Sequence, residues 1–112
     1  MSIDNNFDSK SEPTYWAWIY IAGDLATIKS VCRKFTLTGL CVTIEPIDFV
    51  YTGGSEEGAR VGLINYPRFP NNEDSIFEKA EELGKLLAIE NCQLSFSIVD
   101  PNKTVYFSRG GK

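Results

Sequence analysis

Histidine is absent from this 112-residue chain. That removes the Ser-His-Asp triad, the Cys-His dyad, the HExxH zinc site and the imidazole proton shuttle. Cysteine is scarce. Cys32, Cys41 and Cys92 are odd in number, widely spaced and without a CxxC pattern. They read as reduced, buried thiols, with no disulfide framework and no metal-ligand spacing. Bases are the minority, 11 against 15 acids, for a formal net charge of -4. Binding through phosphate neutralisation needs clustered Lys and Arg, so nucleic acid is not an expected partner. Long apolar runs are also missing. The longest, residues 15–22, is far below the roughly 20 residues that span a bilayer. Residues 1–13 lack the basic and apolar regions of a signal peptide. A cytoplasmic protein with no membrane contact is expected, and no cofactor motif is present.

What the chain does have is 43% hydrophobic residues, 12% aromatic residues and enough length for one core. The expected division is a flexible leader over 1–13, a single domain over 14–108 and a loose tail over 109–112. Residues 15–22 are aromatic and β-branched, which predicts a strand. Asp24 is a good N-cap for a helix whose apolar positions are Leu25, Ile28, Val31, Cys32 and Phe35. Thr38 and Gly39 supply its stop. Residues 40–52 alternate as a second strand, interrupted by Pro46, which predicts an edge or a bulge. Residues 53–58, rich in Gly and Glu, read as a flexible loop. Residues 59–66 then form a third strand, making a hairpin with the second. A capping box at Ser75 and Glu78 opens a second helix with the stripe Ile76, Phe77, Ala80, Leu83, Leu86 and Leu87. Leu94, Phe96 and Ile98 predict a fourth strand. Asp100 and Pro101 fit a type I turn into a short fifth strand over 105–107.

The order β-α-β-β-α-β with an extra C-terminal strand is the split βαβ, or ferredoxin-like, pattern: an antiparallel sheet with two helices on one face. Such a fold leaves the other sheet face open. The smaller set Ala17, Ile19 and Ile21 suits packing under helices, with Val42, Ile44, Val61, Leu63, Leu94, Phe96 and Ile98. Trp16, Trp18 and Tyr20 then go to the open face, with Thr43, Arg60, Ser95, Ser97 and Tyr106. Two tryptophans, a tyrosine and an arginine are the composition of a binding hot spot. A base-stacking RNA module would need aromatics and bases on the third strand, and residues 59–66 lack the aromatics.

Charge is unevenly placed. Residues 73–90 carry a net -4, equal to the whole chain, while residues 24–35 carry +2. Acidic surface speeds encounter with basic partners. The loop over 65–70, with one arginine between two prolines, either packs its rings on the helices or binds an anion. Glu45 and Asp48 bracket Pro46 without a third group that would make them catalytic.

These features predict a non-enzymatic protein-binding module, of the acidic immunity or inhibitor type, that neutralises a basic partner such as a toxin nuclease. Its contact residues are expected to be Glu78, Glu81 and Glu82, then Glu56 and Glu57, then Trp16 and Trp18. One alternative is a homodimeric small-molecule sensor or enzyme on the open face, using Trp16, Trp18, Tyr20 and Arg60. Another is an accessory protein of a mobile element or phage that acts on a host protein.

Overall fold

Side-chain size along one strand sets the architecture. In β1 (Trp16–Ala22) the residues Ala17, Ile19 and Ile21 are buried, and the alternate ones are half-exposed. The computed structural model describes residues 6–109. Asp24 caps α1 (Leu25–Phe35) by accepting from Thr27 N at 2.9 Å. A 3-10 turn over Thr36–Thr38 follows and ends at Gly39, whose φ of 99° is the left-handed conformation glycine tolerates. Next come β2 (Thr43–Tyr51), β3 (Gly54–Ile64), α2 (Glu73–Glu90), β4 (Ser95–Val99) and β5 (Thr104–Ser108).

The sheet order is β2-β3-β1-β4-β5, and every neighbouring pair is antiparallel. This is the ferredoxin-like α+β fold, with β5 added at one edge. Both helices pack on the face that carries Ile19, Ile21, Val61, Leu63 and Ile98, all essentially without exposure. β2 is the opposite edge strand, and there the missing N–H of Pro46 removes no interior ladder bond. The fifth strand extends the sheet sideways and does not fold over the open face.

Several expectations are corrected. Residues 54–58 are not a loop but the first half of β3, and only Thr52 and Gly53 turn the hairpin. Gly53 at φ 86° makes so tight a reversal accessible. The cap of α2 is Asn72, not Ser75; its side chain accepts from Ser75 N at 2.7 Å, so the helix begins a few residues earlier. Leu94 precedes β4 and is 67% exposed, and Leu86 is 40% exposed. In their place Gly84 and Ala88 line the buried side of α2. Gly84 is needed there, because an added Cβ would lie 2.3 Å from Cε2 of Phe96. Of the thiols only Cys32 is buried, and burial pushes it up to about 11; Cys41 and Cys92 are exposed. Among the described residues no helix is long and apolar enough to cross a membrane.

Candidate functional site

The outward residues of the sheet form ordered rows. Direct cross-strand partners share a face, so the registers place Glu45, Arg60, Tyr20, Ser97 and Tyr106 side by side across all five strands. The adjacent row is Thr43, Gly62, Trp18, Val99 and Thr104. Gly62 has a steric reason: an added Cβ would stand 2.6 Å from Thr43 Oγ1 and 3.4 Å from the Trp18 ring. Its absence lets the indole lie down over β3.

Aromatic and charged groups interlock here. The rings of Trp16 and Trp18 stack with centroids 4.4 Å apart. The Arg60 guanidinium lies 4.2 Å from the centroid of the Trp18 ring. The same guanidinium donates to both carboxylate oxygens of Glu45 at 2.8 Å. Glu45, and to a lesser degree Tyr20 beside it, raises the Arg60 pKa above its ordinary value. Its side chain is held at three points, which makes it a fixed cation and not a swinging one. On the other flank, Ser97, Val99 and Thr104 form a floor of small side chains between the Trp18–Tyr20 wall and Tyr106, which is 65% exposed. β1 and β5 lie two strands apart, so this floor is roughly 10 Å wide at the backbone. The face offers flat rings for stacking, phenol and hydroxyl groups for hydrogen bonds, and one fixed charge pair. Among the described residues no cluster of Cys, Asp and Glu has the makings of a metal site.

The structure thus brings together Trp16, Trp18, Tyr20 and Arg60. It does not bring the expected acids to them. Glu78, Glu81 and Glu82 lie on α2, which packs on the opposite sheet face, and Glu81 is paired with Lys85 at 2.7 Å. Glu56 sits on the projecting end of the β2–β3 hairpin, accepting from the Tyr51 hydroxyl at 3.2 Å. Glu57 lies opposite Asp48. The 65–70 loop shows Arg68 over its own neighbour Phe69 at 5.6 Å, while Asn65 is buried and donates to Pro13 O at 2.8 Å.

Sequence places Glu45 beside Pro46 but does not pair it with Arg60. A loop over 53–58 would close the hairpin between 52 and 59 and set Glu45 opposite Tyr66. The two-residue turn sets it opposite Arg60.

No protein-family model and no curated protein matches the chain. Two solved structures share its fold almost end to end. Both are of phage SAM lyase. The apo form superposes with a TM-score of 0.70 at 15% identity, covering 88% of this chain and 91% of that one. The complex with S-methyl-5'-thioadenosine gives 0.64 at 12% identity, covering 94% and 97%. This overturns the expectation of a non-enzymatic immunity or inhibitor protein. Both of these structures are of an enzyme, and the acids that suggested a basic partner lie apart from the aromatic face.

Proposed function

We propose that this chain is a lyase that cleaves S-adenosylmethionine into S-methyl-5'-thioadenosine and a lactone, on the open sheet face. The observation that carries the reading is the end-to-end likeness to phage SAM lyase, in one case with S-methyl-5'-thioadenosine bound. The arrangement of the open face agrees with the needs of that substrate.

The chemistry explains why no histidine is required. S-adenosylmethionine carries both a nucleophile, its carboxylate, and a leaving group, its sulfonium. A carboxylate oxygen forms a bond to Cγ while the Cγ–S bond breaks, and the electron pair stays on sulfur. The products are a neutral thioether and a five-membered lactone that keeps the ammonium. No proton moves and no water is consumed. The protein's tasks are to fold the substrate into the reactive conformation and to exclude the water that solvates the two opposite charges.

The Trp16–Trp18 pair supplies the stacking surface for the adenine, an interaction of about 1–3 kcal/mol for a base on an aromatic ring. Tyr20, Ser97 and Tyr106 supply hydroxyls for the ribose. The Glu45 carboxylate faces the substrate's cationic groups. Arg60, already engaged by Glu45, orients the substrate carboxylate without fully neutralising it. The test is product formation by Trp18→Ala and Arg60→Ala beside the charge-reversed pair Glu78→Lys and Glu82→Lys. The open-face variants are expected to lose at least about tenfold in kcat/KM, roughly 1.4 kcal/mol of transition-state binding, while the α2 variant keeps wild-type activity. Absence of cleavage by the wild-type chain refutes the reading.

A further inference from the structure

A small cavity of about 140 Å3 lies where the start of β1, the first turn of α2 and the β4–β5 turn meet. Its lining includes the aromatic residues Tyr15, Trp16 and Phe77, the acidic residues Glu73 and Asp100, and Asn102.

Asn102 ties the two acids in place. Its side-chain amide donates to Glu73 Oε1 at 2.7 Å, and its backbone N–H donates to Asp100 Oδ1 at 2.8 Å. The Lys103 N–H adds a second bond to Asp100 Oδ1, also at 2.8 Å. Neither carboxylate is ion-paired among the described residues. One lining residue, Phe77, already receives a cation: the Lys103 ammonium stands 4.5 Å from the centroid of its ring. Two carboxylates are too few oxygen ligands for a hard metal ion, which takes six or so. Aromatic faces instead attract cations whose charge is spread over carbon and weakly hydrated.

We propose that this cavity binds a small organic cation, a quaternary ammonium head group. Glu73 and Asp100 supply the counter-charge, and Tyr15, Trp16 and Phe77 the walls. The assignment stands on the cavity alone and holds whether or not the chain cleaves S-adenosylmethionine. Lys103 is then a resident competitor for the Phe77 face.

The experiment is a titration of the 15N-labelled chain with tetramethylammonium chloride, followed by NMR, with sodium chloride at matched ionic strength as control. Saturable shifts at the Trp16 indole N–H and at Asn102 are expected with tetramethylammonium and not with sodium. Glu73→Gln is expected to weaken binding about tenfold, and Lys103→Met to tighten it about threefold. The second variant reads a gain, which misfolding does not mimic. Equal shifts with both salts, or affinity unchanged in both variants, overturn the proposal.

Discussion

The two faces of β1 obey different physical rules. On one side Ala17, Ile19 and Ile21 lie under the helices with almost no exposure, each surrounded by core side chains. On the other, Trp16, Trp18 and Tyr20 keep partial contact with solvent and are ordered by one another and by Arg60. The strand buries its smaller residues for stability and, on the reading proposed above, keeps its large ones for recognition. Substitutions on the first face should therefore act on folding, and substitutions on the second on ligand chemistry.

The largest expected effect breaks the covered face. Ile19→Ala leaves a cavity in a fully buried position and should lower unfolding free energy by about 2–5 kcal/mol, read by denaturant titration. Gly84→Ala overfills the same face. Phe96 cannot swing aside freely because Phe107 stacks on it at 4.8 Å, so a loss of about 1–3 kcal/mol is expected in the same measurement. On the open face Trp18→Ala removes one stacked pair and should cost about 0.5–1.5 kcal/mol of stability. The proposed cleavage activity should fall at least about tenfold in the fraction that stays folded. A Trp18 variant that unfolds like Ile19→Ala while its remaining folded fraction stays fully active would collapse the distinction between the faces.

The smallest effect is in the pH dependence. Burial raises the Cys32 thiol from 9.0 to about 11. Between these values the unfolded chain has released a proton that the folded chain retains, so stability falls as pH rises through that window. Cys32→Ala is expected to flatten this part of the stability profile. Under native conditions near pH 8 a thiol reagent should modify the exposed Cys41 and Cys92 quickly and Cys32 slowly.

Much of this fold is readable from alternation. The contrast of aliphatic and aromatic residues in β1 assigns its two faces, and apolar spacing places both helices. The hairpin register is not readable in the same way. Period-two alternation is unchanged by an even slide, so a loop over 53–58, which would set Tyr66 opposite Glu45, keeps the same faces as the observed register with Arg60 opposite Glu45. The partner was lost although the face was right. The cap at Asn72 was hidden because Asn71, Asn72 and Ser75 are all competent caps, and only the backbone path selects one.

The proposed activity is less legible still, for a chemical reason. Missing histidine excludes chemistry that depends on imidazole proton transfer. It says nothing about a substrate that brings its own nucleophile and leaving group. Such a reaction leaves no nucleophile or base to find in the sequence, only a shaped aromatic face. The acids of α2 attracted notice because charge is easy to count, yet they lie across the sheet from the rings.

The most direct test is to incubate the wild-type chain with S-adenosylmethionine in water enriched in oxygen-18 and to follow products by mass spectrometry. The expected result is S-methyl-5'-thioadenosine and homoserine lactone in equal amounts, far above the spontaneous rate, with no heavy oxygen in the newly formed lactone. Release of thioadenosine at only the spontaneous rate, or homoserine labelled at its γ-oxygen, would contradict it.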